Sequence, residues 1–216
     1  PQVRALLQGE GIQVEPHPWL PDCLVLSATG DLTQSRAWEE GMLYAQDPAA
    51  RLAVLAAGLQ PGTKVLDACA APGGKSFGAA VVMGDRGAIH ACDLHAHKKG
   101  LIEVGAARLG FHAITAQVVD AKKPRKGWEE AFDTVLADVP CSGLGVIRKK
   151  PEIRFKDPAA LSQLPAIQRD ILEGLAPCVR PGGVLVYSTC TVLARENEDV
   201  VRDFLRTHPD LSLIHI

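Results

Sequence analysis

Short, nearly continuous apolar runs alternate with amphipathic stretches of helical length through most of this chain. Asp47-Pro48 predicts a helix start, because Asp can cap and Pro fits the first helical turn, and the helix should end near Gly58. Beyond it, five runs predict strands: 64–68 (KVLDA), 88–92 (AIHAC), 114–119 (ITAQVV), 134–139 (TVLADV) and 184–188 (VLVYS). Helical spacing recurs in 167–179, through Ile167, Ile171, Leu172, Leu175 and Val179, and in 196–206, through Val200, Val201, Phe204 and Leu205. Strands that are apolar on both faces and alternate with helices imply an α/β fold: a Rossmann-like, mainly parallel sheet covered on both sides. Residues 1–40 (EPHPWLPDC, then SATGD) are Pro-punctuated and predict an irregular accessory segment, leaving 41–216 as the main domain.

The 216 residues, 47% of them hydrophobic, suffice for one well-packed domain and exclude global disorder. No apolar run is long enough to span a membrane and the first residues lack a signal-peptide pattern, which predicts a cytoplasmic protein. The chain starts without Met, which suggests a fragment. The six cysteines show no C-x-x-C pair and no zinc-ligand spacing, so the sequence predicts free thiols and no metal. The net charge of -2 does not discriminate among partners. Locally, however, 122–126 reads KKPRK, and 148–156 (RKKPEIRFK) sets five basic residues against one acid. Arg148, Lys149 and Lys150 are therefore candidate contacts to a nucleic-acid backbone.

In an open parallel sheet, ligands bind at the carboxyl ends of the strands. Here the five predicted strands lead into Asp67 with the loop CAAPGGKS, into Asp93, into Asp120, into Asp138-Val-Pro-Cys141, and into Ser188-Thr-Cys190. Helix capping accounts for any single Asp in such a place, but not readily for the whole set. The loop is not a P-loop, since Cys69 stands where the first Gly is required, and G-x-G-x-x-G is also absent, which disfavours a nicotinamide oxidoreductase. A small-residue turn leading into a helix N-terminus suits a carboxylate. Asp93 is placed for ribose hydroxyls and Asp120 for an adenine amino group. A ligand with a carboxylate, a ribose and an adenine but no phosphate is S-adenosylmethionine.

Cys141 and Cys190 lie just past strand ends, unlike Cys69 and Cys92, which are within or ending apolar strands. A thiolate added to carbon 6 of cytosine makes carbon 5 enamine-like and able to attack an electrophilic methyl group. Asp138 is placed to bond the ring nitrogen or amino group of such a base. The residues alone leave either cysteine as the nucleophile.

The segments VLDACAAPGGKS, CDLHAHK, VVDAKKP, FDTVLADVPCSGLGVIRKKPEIRF and LVYSTCTVLARENEDVV resemble the Sun/Fmu family of RNA (cytosine-5) methyltransferases over roughly residues 41–205. GVIRKKPEIRF most resembles the bacterial branch acting on small-subunit ribosomal RNA. The resemblance implies that Cys69, Ala70, Ala71, Pro72, Gly73, Gly74 and Lys75 form the S-adenosylmethionine loop. It implies that Asp93, Asp120 and Asp138 complete the cofactor site, with Asp138 also near the base. It makes Cys190 the nucleophile and Cys141 an aid to product release. It further implies that 1–40 is the remnant of an N-terminal RNA-binding linker region, and that the final strand hairpin is incomplete, with LSLIHI as one edge strand. The competing expectations are a cytosine-5 methyltransferase acting on tRNA or DNA, and a catalytically impaired RNA-binding fragment engaged in ribosome assembly.

Overall fold

The computed structural model describes residues 2–20 and 22–214. A five-stranded parallel sheet organises the main domain. It comprises β3 (Lys64–Asp67), β4 (Ala88–Asp93), β5 (Ile114–Val118), β6 (Phe132–Asp138) and β7 (Val179–Ser188), in the spatial order β5-β4-β3-β6-β7. Alternation within the strands divides the core in two. Val65, Ile89 and Leu136 face α3 (Pro48–Ala56) and α4 (Gly74–Met83), packing on Val54, Ala79 and Met83. Leu66, Cys92, Val135 and Ala137 face the opposite way, against Ile171, Leu172 and Leu175 of α7 (Leu164–Leu175) and Val200 and Phe204 of α8 (Glu198–Thr207). The helix α5 (Ala96–Arg108) joins the first face through Ile102 and Ala106, which pack with Phe77. Each large apolar side chain so buried contributes about 1.5–3 kcal/mol, which explains why the strands read as apolar on both faces.

The helix start at Asp47-Pro48 is realised: Asp47 Oδ1 accepts from the Ala49 N–H at 2.8 Å, with Pro48 in the first turn. The helix expected over 167–179 ends earlier. Pro177 cannot continue the helical ladder, so a 3-10 turn occupies Ala176–Cys178 and Val179 opens β7. β7 begins well before residue 184, with an irregularity in its pairing to β6 around Pro181-Gly182-Gly183. The expected edge strand LSLIHI is not seen over its described part. Residues 211–214 are in no strand, because no neighbouring strand pairs with them, and 215–216 lie outside the described residues.

The amino-terminal region is more ordered than its sequence suggests. The helix α1 (Gln2–Gly9), the antiparallel pair β1 (Gln13–Pro16) and β2 (Leu24–Ser27), and the short α2 (Arg36–Glu39) enclose a small core of Leu7, Ile12, Val14 and Ala37. Proline content hid the strands: Pro16 closes one of them, a position where it costs no ladder bond. Arg108 joins this module to α5. It donates to the carbonyls of Trp38 (2.8 Å) and Leu43 (3.1 Å) and lies over the Trp38 ring. The remaining short helix is α6 (Pro158–Ser162). Among the described residues no helix is long and apolar enough to cross a membrane.

Candidate active site

The chain runs outward from β3 to β4 and β5, then returns to β6 on the other side of β3. This reversal opens a crevice between the carboxyl ends of β3 and β6, where ligands of such sheets bind. Asp67 ends β3, and Asp138 ends β6. The loop carrying Cys69, Ala70, Ala71, Pro72, Gly73, Gly74 and Lys75 rises from β3 and turns into α4. Gly73 sits at φ 114, and a Cβ there would lie 2.4 Å from the Phe77 ring. The left-handed φ and the Phe77 ring packed beneath the turn together require glycine at this point.

Lys75 spans the crevice, its Nζ 2.6 Å from Asp138 Oδ2. Ser188, at the end of β7, donates to Asp138 Oδ1 at 2.8 Å. Beneath the loop, Ser76 Oγ donates to Asp67 Oδ2 at 2.7 Å, while Asp67 Oδ1 is buried without a partner. Burial pushes the Asp67 carboxyl up to about 7, and the Asp138 charge adds to this. An unpaired buried acceptor costs roughly 1–3 kcal/mol, so this oxygen marks a place where a donor is wanted. The sequence reading noted Asp67 as a strand end but assigned it no role. A carboxylate ending the strand just before the small-residue loop was the available signal.

Asp93 ends β4 and is nearly buried. Its Oδ1 accepts from the His95 N–H at 3.0 Å and lies 3.7 Å from Lys98 Nζ. Asp120, two residues past β5, accepts from the Lys122 N–H at 2.9 Å. Both acids close local turns, and each keeps Oδ2 without a hydrogen-bond partner among the described residues. Cys69 is partly buried among Asp67, Asp93 and Asp138. Burial first, and those charges second, push its thiol up to about 12. Cys92 behaves alike, also about 12. These thiols stay protonated at neutral pH, as expected for cysteines that serve as small packing groups.

Cys141 and Cys190 meet across the gap between the loops that follow β6 and β7. Their sulfurs are 3.1 Å apart, and the Cys190 N–H points at Cys141 Sγ at 3.2 Å. Two anions cannot coexist at that separation, so the pair shares one proton. Cys190 is the more exposed of the two. The hydrogen bond it shares with Cys141, aided by the Lys150 charge, lowers its thiol to about 6, against the opposing effects of partial burial and Asp138. Cys141 moves upward, with its hydrogen bond to Cys190 as the first cause and burial as the second. The backbone N–H acts the other way on Cys141 but is outweighed by the neighbouring anion and by burial. The residues alone left the choice of nucleophile open; of the two sulfurs, Cys190 is the more open to an incoming base.

Arg148, Lys149 and Lys150 are exposed on the segment leading from the Cys141 loop, between two 3-10 turns at Leu144–Val146 and Pro151–Phe155. Lys149 is paired with Asp47 at the start of α3. Arg148 and Lys150 are in no ion pair among the described residues. Lys156 Nζ, from the same segment, donates to the Ser142 carbonyl at 3.0 Å and ties it to the cysteine loop.

The whole architecture recurs in solved structures. The crystal structure of PH0851 superposes with a TM-score of 0.91 and 33% identity, covering 96% of this chain and 47% of that one. NSun6 from Pyrococcus horikoshii, solved with SFG, gives a TM-score of 0.73 and 28% identity over 82% of this chain and 45% of its own. At the level of fold the chain is thus a Rossmann-like methyltransferase domain. In sequence it is 42% identical over 208 residues to the probable ribosomal RNA small subunit methyltransferase B of Bacillus subtilis, covering 95% of this chain and 46% of the relative. It is 37% identical over 220 residues to the ribosomal RNA small subunit methyltransferase B of Vibrio cholerae, covering 99% and 49%. The chain spans about half the length of the curated relatives it matches. The family described as 16S rRNA methyltransferase RsmB/F matches residues 54–216, and the chain belongs to that family.

Proposed function

We propose that this chain carries the catalytic domain of an S-adenosylmethionine-dependent enzyme that methylates carbon 5 of a cytosine in RNA, within the small-subunit ribosomal RNA, in the cytoplasm. Residues 41–216 would be that domain, and 1–40 the adjoining part of an RNA-binding accessory region. The observation that carries the reading is the Cys141–Cys190 pair at 3.1 Å beside the crevice bounded by Lys75 and Asp138. Transfer to oxygen or nitrogen needs no cysteine, whereas carbon 5 of cytosine does.

The crevice fits the cofactor. The bare turn at Gly73-Gly74 and the N-terminus of α4 suit its carboxylate. The unpaired Asp67 Oδ1 suits its ammonium, and the free oxygens of Asp93 and Asp120 suit ribose hydroxyls and an adenine amino group. The relative solved with SFG, an analogue of S-adenosylmethionine, supports this assignment. When bound, the cofactor supplies an electrophilic methyl group.

The chain's own residues do the rest. The Cys190 thiolate adds to carbon 6, forming a C–S bond, and the electrons of the 5,6 double bond become available at carbon 5. Asp138, held by Lys75 and Ser188, still has acceptor capacity for the amino group of the base. After transfer, the carbon-5 proton passes to a base, the double bond re-forms, and the electrons of the C–S bond return to sulfur. Cys141, still protonated, can then hydrogen-bond the departing sulfur and stabilise the Cys190 thiolate as it leaves, which restores the starting pair. RNA carrying 5-fluorocytosine tests this scheme, because carbon 5 then has no proton to lose. Incubation with S-adenosylmethionine should give a covalent protein–RNA adduct, absent in Cys190→Ala. An adduct lost only in Cys141→Ala would reverse the two roles. Cofactor binding without any adduct would favour an RNA-binding fragment instead.

A further inference from the structure

Behind the cysteine pair lies a buried polar cluster to which neither the sequence pattern nor the scheme above assigns a role. Glu196 is fully buried on the 3-10 turn Ala194–Glu196. Its Oε2 accepts from the Ser142 N–H at 2.8 Å. Gln168, fully buried on α7, donates from Nε2 to the same oxygen at 3.1 Å and to the Pro140 carbonyl at 3.0 Å. These groups therefore grip the two peptide units flanking Cys141. Tyr187 Oη donates to the Glu196 carbonyl at 2.6 Å and fixes the turn itself.

The next residue does the same for the other loop. Asn197 Nδ2 donates to the carbonyls of Thr191 and Leu193, both at 3.2 Å, and its Oδ1 accepts from Thr189 Oγ1 at 2.6 Å. Thr189 and Thr191 flank Cys190. Two consecutive side chains thus hold the immediate neighbours of the two sulfurs, one each. A further bond between Ser142 and Thr191 hydroxyls, 2.7 Å, joins the loops directly. Burying a carboxylate is expensive unless it is well bonded, and packing alone would be served as well by an apolar residue. We propose that Glu196 and Asn197 are positioning residues that set the separation of the Cys141 and Cys190 sulfurs, and through it the reactivity of Cys190. The proposal rests on the reading of this pair as the catalytic centre.

Its test needs neither RNA nor cofactor, so it fails or succeeds separately from that reading. Alkylation of Cys190 by iodoacetamide would be followed against pH, with the modified peptide identified by mass spectrometry. Besides Cys141, the charged groups acting on Cys190 are Asp138 and Lys150, and neither is altered by the variants. Asn197→Ala should move the midpoint upward by at least about one pH unit, slowing alkylation about fivefold at pH 6 and about twofold at pH 7. Glu196→Ala should do likewise, while Glu196→Gln, which keeps an acceptor for the Ser142 N–H, should restore most of the wild-type profile. Asn197 is only half-buried, so its variant carries the decision if Glu196→Ala does not fold. A melting temperature lowered with an unchanged alkylation midpoint in Asn197→Ala would reduce the cluster to packing and overturn the proposal.

Discussion

Cys69 and Cys190 both stand two residues past the end of a parallel strand, and the fold treats them oppositely. Cys69 lies partly buried among three carboxylates, and its thiol is pushed up to about 12. Cys190 is exposed, beside Lys150 and a partner thiol, and is brought down to about 6. Topology delivers a residue to the ligand-binding edge of the sheet; burial and the nearest hydrogen-bond donor decide what it can do there. The same division runs across the crevice. The β3–β4 side is acidic and closed, suited to gripping a cofactor, and the β6–β7 side is open and flanked by basic residues, suited to a polyanion.

The sharpest break of this comparison is to remove each thiol. Cys190→Ser should lower methyl transfer by at least about three orders of magnitude, as expected for loss of a covalent nucleophile. Cys69→Ser should leave the covalent step intact and cost no more than about 1.5 kcal/mol in stability. Single-turnover transfer of labelled methyl groups and urea unfolding separate the two effects. Comparable losses of transfer in both variants would mean that environment does not distinguish them.

The next test concerns the partner thiol. Without Cys141 the Cys190 thiolate loses its main hydrogen-bond donor, so in Cys141→Ala its pKa should rise from about 6 toward about 8.5. At pH 7 the thiolate fraction, and with it the alkylation rate, should fall roughly thirtyfold. An unchanged midpoint would assign the lowered pKa to Lys150 and the loop backbone instead.

The contrast between the two cysteines was only partly legible in the sequence. Periodicity located all five strands of the sheet, because parallel strands covered on both sides leave continuous apolar runs such as KVLDA and TVLADV. Their parallel arrangement then put Asp67, Asp93, Asp138 and both cysteine loops along one edge. Two features were hidden. The amino-terminal module carries too few apolar residues per element to register as a pattern, and it is completed by contacts such as Arg108 with Trp38, which are 70 residues apart. The roles of Asp67, Glu196 and Gln168 depend on burial and on orphaned oxygens, which exist only once distant segments pack together. In the sequence, Glu196 and Asn197 look like any polar start of the helix α8.

On the closed side of the crevice, the comparison is sharpened by pH. The Asp67 carboxyl titrates near 7 in the folded protein and near 3.9 in the unfolded chain. Between those values the folded state holds a proton that the unfolded state has lost. The contribution of Asp67 to stability is therefore fully present below about pH 4 and is lost as pH rises through about 7. Asp67→Asn removes the titration, so its stability relative to wild type should improve by about 4 kcal/mol from pH 4 to pH 8. Denaturant melts of the cofactor-free protein across that range check the sign; a flat difference would mean that Asp67 is less closed off than its burial indicates.

The smallest effect concerns the open side. If the 148–156 segment meets an RNA backbone, its cations should not contribute equally. Arg148 and Lys150 are free of ion pairs among the described residues, whereas Lys149 must first leave Asp47. Each phosphate contact on a single strand adds about 0.7 to the slope of log affinity against log salt. Replacing Arg148 and Lys150 with Ala should therefore flatten that slope by up to about 1.4, with affinity falling uniformly across sequences. Lys149→Ala should change it by less than half as much as either single replacement. Equal losses for all three would show that the Asp47 pair opens at no cost on binding. No change for any of them would move the RNA path away from this segment, toward the second basic run at 122–126, and would remove the electrostatic half of the contrast between the two sides.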